Sequence, residues 1–159
     1  MDTTQNYLQV LSDSLDKKTA ILEELETLTL AQKELAKAEA FDDEAFENNV
    51  AKKDKLIEQL LRLDAGFETL YNNIKCQLED KRELYRNEIK ELQDKLKRIM
   101  DYSMRIQVEE EANRKLMASR FTILKKEAVQ IRKNQSVAAN YYKTMNNISS
   151  EPYFMDKKK

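Results

Sequence analysis

Few residues of this 159-residue chain stand in patterns that could do chemistry. Ser14, Leu15, Asp16 and Lys17 spell the S-x-x-K of penicillin-recognising enzymes, whose Ser is a nucleophile. No companion motif accompanies it, and the segment falls inside a helical pattern, so it reads as an exposed helix face. Glu109, Glu110 and Glu111 offer carboxylates to a hard cation. Adjacent helical side chains point in different directions, so this triplet reads as a solvated face. Cys76 lies one position from an apolar seam and reads as a small packing residue. The sequons at Asn134 and Asn147 carry no weight in a cytosolic chain. There is no His. That removes the commonest general base and metal ligand, and with it the Glu-x-x-His pairs of di-iron bundles. One Gly cannot build a phosphate cradle. The expectation is a protein that is not an enzyme, with no cofactor and no metal.

One further constellation is apolar. Val137, Tyr141, Met145 and Ile148 follow at spacings of four, four and three, with Tyr142 beside them. They form one face of a short helix, for which Ser136 is a suitable cap. Such a helix either folds back onto a core or detaches to fold onto a partner. Tyr is amphipathic and Met flexible, which suits adaptable surfaces.

The elements that must carry this segment are helices. Charged residues make up 36% of the chain, mean hydropathy is -0.77, and there is one Gly (Gly66) and one Pro (Pro152). Without these breakers, few turns or strands can form. No apolar run approaches the roughly 20 residues a membrane-spanning helix needs. The opening MDTTQNYLQVLSDSLD carries acids where a secretion signal carries bases, so a cytoplasmic location is expected. Charge is uneven: residues 1–64 hold 15 acids and 8 bases, whereas residues 112–159 hold 3 and 11. An acidic helix lying beside a basic one accounts for this. A nucleic-acid reading is weaker, because Arg114, Lys115, Arg120, Lys125, Lys126, Arg132 and Lys133 spread around the helix.

The first helix runs from about Thr3 to Glu39. Leu8, Leu11, Leu15, Leu22 and Leu25 keep 3-4 spacing with Lys18 interrupting, and Ile21, Leu28 and Leu35 widen the stripe. At FDDEAF, Asp42 is an N-cap, and Phe41 and Phe46 have the spacing of a hydrophobic staple. The second helix starts there. Its row of Phe46, Val50, Ile57, Leu60, Phe67, Tyr71, Ile74, Leu78 and Tyr85 passes Gly66 without a shift, so the helix continues. The step from Tyr85 to Ile89 is four where three is due. This reads as a stutter that does not end the helix. Ile89, Leu92, Leu96 and Ile99 follow. A turn is expected near Met100–Ser103, and a last helix over Ser103–Lys133 with Ile106, Leu116, Met117, Phe121, Leu124, Ala128 and Ile131 inward. Glu110–Arg114 and Glu111–Lys115 should pair on its outside. The fold expected is all-α: an elongated antiparallel bundle or coiled coil of three to four long helices over residues 1–133. A flexible C-terminal segment, residues 134–159, should serve for partner binding.

The hairpin, the phrase FDDEAFENNVAKKDKLIEQLLRL and the ending VAANYYKTMNN resemble the FlgN-type flagellar export chaperones. The resemblance implies a cytosolic chaperone of flagellar type III secretion. Such a chaperone binds hook–filament junction (hook-associated) proteins, prevents their premature assembly and assists their export. It implies no catalytic residues and places the partner-binding region at Val137, Tyr141, Tyr142, Met145 and Ile148. Components of the export apparatus are further implied partners, a homo-oligomer is compatible with it, and nucleic acid is not a partner. The alternative is a structural or adaptor coiled coil of the export apparatus that binds no cargo.

Overall fold

The computed structural model of the protein describes residues 3–130, with side chains through residue 127. Among these residues there are three helices and no strand: α1 (Thr3–Lys37), α2 (Asp43–Asp80) and α3 (Arg86–Gln130). The all-α expectation holds.

The spaced Leu row drives α1. Leu8, Leu11, Leu15, Leu22 and Leu25 are all buried, and Ile21, Leu28 and Leu35 flank them half-buried. Each fully buried Leu contributes roughly 1.5–3 kcal/mol relative to exposure. At the skipped position, the Lys18 stem lies along this stripe and its ammonium reaches Asp64 at 2.6 Å.

The start of α2 is built as its residues dictate. The Asp42 carboxylate accepts the Ala45 backbone N–H at 3.0 Å, and Asp43 and Glu44 occupy the first turn. The rings of Phe41 and Phe46 meet with centroids 5.5 Å apart, closing the staple. The helix passes through Gly66 unbroken, and no Gly has a positive φ among the described residues.

The chain reverses at residues 81–85, between α2 and α3. Lys18 pairs with Asp64 and Lys95 with Asp16. Residues 64 and 95 therefore meet the same level of α1, and the chain between them must fold back near Asp80. The step from Tyr85 to Ile89, read as a stutter within one helix, thus falls where the reversal passes into α3, and no turn exists at Met100–Ser103, which lies inside α3. The reversal escapes the usual signals because it needs no unusual backbone. The Lys81 carbonyl accepts the N–H groups of Leu84 and Tyr85 at 3.1 and 3.3 Å. Positive φ is nowhere required among the described residues, so neither Gly nor Pro is selected. Tyr85 is buried beneath the turn and anchors it.

The chain divides into two compact units: one of residues to Leu28 with Ala51–Ile106, the other of Thr29–Val50 with the chain from Gln107. In the first unit, the pairs Lys95–Asp16 and Arg105–Glu26 advance together along both helices, so α1 and α3 are parallel there and α2 runs against them. In the second unit, Ala36, Phe46, Met117 and Phe121 form a buried cluster, with Leu35, Phe41, Val50, Leu116 and Leu124 packed against it. The proposed boundary between residues 133 and 134 lies outside the described residues.

A polar layer also sits inside the second unit. Thr29 donates its hydroxyl to Glu110 at 3.1 Å. The Asn113 amide donates to the Thr29 carbonyl at 2.8 Å and to Gln32 at 3.1 Å. Glu110 is therefore buried rather than on the outside. These bonds tie α1 to α3 in one register, because any slide leaves buried groups unpaired.

Candidate partner-binding site

The residues singled out for chemistry are held by the helices as structural groups. Ser14 is half-buried and Lys17 exposed on α1. The Glu109–Glu111 triplet is divided as helical geometry requires. Glu109 pairs with Lys33 at 3.1 Å, Glu110 accepts from Thr29, and Glu111 pairs with Arg114 at 2.8 Å. The hydrogen bond from Arg114 holds the Glu111 carboxyl below its ordinary range. Arg114 thus pairs one position away from the Glu110 partner expected, at i,i+3 rather than i,i+4. No group of three or more His, Cys, Asp and Glu suited to a metal occurs among the described residues. Cys76 is exposed, not packed. It sits on α2 just outside the buried row, where an unbranched small side chain covers little.

Complementary charge contributes to the seam between α1 and α3. Lys95 donates to Ser12 at 2.6 Å and to Asp16 at 3.0 Å. Burial works to lower the Lys95 pKa. The Asp16 hydrogen bond and the charges of Asp16 and Glu91 outweigh it, holding the ammonium above its ordinary value. Arg105 reaches Glu26 at 2.9 Å while lying over the Tyr102 ring at 4.5 Å. Arg120 has a role that its place in the sequence does not signal. Its guanidinium donates to the carbonyls of Ala38 and Glu39 and lies over the Phe41 ring at 5.5 Å. A cation there satisfies free carbonyls at the negative end of α1. Only the pairing across the second unit exposes this role; in the sequence Arg120 is one base among several.

The five residues assigned to partner binding, Val137, Tyr141, Tyr142, Met145 and Ile148, lie outside the described residues. Within the described residues, a second apolar surface is formed by side chains whose spacing places them in the core. Tyr71 and Leu96 keep 42% and 41% of their surface exposed. With Phe67, Leu78, Ile89 and Leu92 they line an open groove between α2 and α3 in the first unit. Phe67 and Tyr71 are stacked, with centroids 6.3 Å apart. On the same unit's stretch of α3, Met100 and Met104 continue from Leu96 at four-residue steps and are 62% and 61% exposed. That four-residue repeat is the signal the sequence offers, and a turn placed at Met100 conceals it.

No helix among the described residues is long and apolar enough to cross a membrane. No curated protein and no solved structure matches the chain. A family model described as FlgN protein matches residues 1–147. This span takes in all three helices and the phrase VAANYYKTMNN that carries the resemblance. With nearly the whole chain matched, the protein belongs to the FlgN family, the flagellar export chaperones.

Proposed function

We propose that this protein is a cytosolic chaperone that holds hook-associated (hook–filament junction) subunits before export, through the segment Val137–Ile148. The observation that carries this reading is the reach of the family match. It extends to residue 147, through the apolar row of Val137, Tyr141 and Met145. The rows of α1, α2 and α3 are largely spent on their own packing, with Leu11, Leu22, Phe46, Ile74 and Ile106 almost wholly buried. The row at Val137–Ile148 follows the described helices in the sequence and adds a further apolar stripe to theirs.

The mechanism needs no bond chemistry. Junction subunits assemble through amphipathic terminal helices, which are prone to associate early. A chaperone segment presenting Val137, Tyr141 and Met145 on one face, with Tyr142 beside them, covers such a stripe by helix-to-helix packing. Binding of a segment that orders on contact is driven by a few buried anchors, and aromatic side chains are the strongest of these. Residues 1–133 act as the folded base and residues 134–159 as the binding arm. Isothermal titration of the protein with a purified hook-associated subunit tests this. The parent should bind, and Tyr141→Ala with Tyr142→Ala should not. A parent that binds no such subunit favours a structural or adaptor role in the export apparatus.

A further inference from the structure

We propose that the α2–α3 groove of the first unit is a second docking surface, for an acidic amphipathic helix of a partner protein. It is distinct from the segment Val137–Ile148 and does not rest on it. The groove is apolar along its floor, with Phe67, Tyr71, Leu78, Ile89, Leu92 and Leu96. Its volume, about 970 Å3, includes an open mouth through which a row of side chains can enter from solvent. From Ile89 to Met104 the α3 edge runs about 22 Å at 1.5 Å per residue, the length of four helical turns. Met100 and Met104 extend that edge as exposed, flexible side chains that repack against varied partners. Two helices with an apolar furrow between them and α1 behind them leave the position of a further helix vacant.

Charge selects the occupant. Three charged side chains line the groove: Lys75, Arg82 and Glu79. Lys75 on α2 and Arg82 in the reversal that follows it are both exposed, and neither forms an ion pair among the described residues. An incoming helix with carboxylates beside its apolar stripe meets both bases. The chain's own C-terminal segment does not fit that demand. Residues 131–159 carry Arg132, Lys133, Lys143, Lys157, Lys158 and Lys159 against Glu151 and Asp156. A second copy packed through this same face sets a patch with two bases and one acid against its duplicate, leaving an excess of positive charge.

The test uses the full chain and a synthetic peptide of about three heptads, with Leu at a and d and Glu at e and g. Its twin carries Lys in place of Glu. Like charges keep each peptide from pairing with itself. Titration calorimetry should show the Glu peptide binding the parent and the Lys peptide binding about ten-fold more weakly. Leu96→Glu, at a position already 41% exposed, should abolish binding while circular dichroism stays unchanged. Lys75→Glu with Arg82→Glu alters only exposed charges and should invert the preference between the two peptides. Absence of Glu-peptide binding to the parent overturns the proposal, and so does binding indifferent to these substitutions. A parent dimer dissociated by Leu96→Glu in sedimentation equilibrium assigns the face to a second copy. Binding that appears only once Tyr141→Glu is introduced assigns it to the chain's own C-terminal segment. Either result overturns the proposal.

Discussion

Phe46→Ala should be the most damaging single truncation at the α1–α2 hairpin. Phe46 is 1% exposed and belongs to the cluster with Ala36, Met117 and Phe121. One residue therefore joins all three helices of the second unit. Removing a buried Phe costs about 3–5 kcal/mol, combining the lost transfer free energy with the cavity left behind. The tilted contact with Phe41 at 5.5 Å adds up to about 1 kcal/mol and ends the staple. The expected loss is about 4 kcal/mol, a large part of the roughly 5–15 kcal/mol that holds a domain together. Urea unfolding followed by circular dichroism in the helical band is the assay, with the midpoint falling and the slope unchanged. A loss below about 1 kcal/mol would mean that the hairpin is not packed on α3 through this ring, and the described cluster would be wrong.

Gly66→Ala should stabilise the protein by up to about 1 kcal/mol, because Gly is a poor helix former. Gly66 lies mid-helix and exposed, and an added Cβ meets nothing within 4 Å. A thermal melt should rise by about 2–4 °C, whereas a fall would show a break at this point. Asp43→Asn should change the pH dependence of stability. Burial first, then the charges of Glu47 and Asp42, raise the Asp43 pKa above 3.8, and its Oδ1 is buried with no hydrogen-bond partner. A folded pKa above the unfolded one means that stability from this group is greatest below the unfolded value and declines as pH rises through the folded one. The substituted amide cannot ionise, so the variant should exceed the parent in urea midpoint at neutral pH. That advantage should be gone in acid, once the parent carboxyl is protonated in both states. An equal difference at both pH values would assign the effect to something other than ionisation.

The parts of the fold carried by local patterns can be read directly. The 3-4 Leu row of α1 is buried where its spacing puts it. Asp42, Phe41 and Phe46 sit within six residues of one another, and their capping geometry follows from that proximity alone. The reversal at residues 81–85 cannot be read in the same way. It uses helix-like hydrogen bonds to the Lys81 carbonyl and ordinary φ values, so it leaves no Gly or Pro behind. Without that turn, Leu96 falls in the seam and Met100 in a loop, and the exposed groove stays hidden. Glu110 and Arg120 differ for another reason. Their roles depend on partners 81 and 82 residues away, Thr29 and the Ala38 carbonyl, and charge alone does not distinguish a buried acceptor from a solvated acid.

One titration separates cargo binding through the proposed arm, Val137–Ile148, from the alternatives. A purified hook-associated subunit is added to the parent and to the variant carrying Tyr141→Ala and Tyr142→Ala, with circular dichroism recorded on the same preparations. The parent should form a saturable complex and the variant none, the two sharing one helicity and one melting temperature. Undiminished binding by the variant would contradict the assignment of the arm, and a parent that binds no such subunit would contradict the chaperone reading itself.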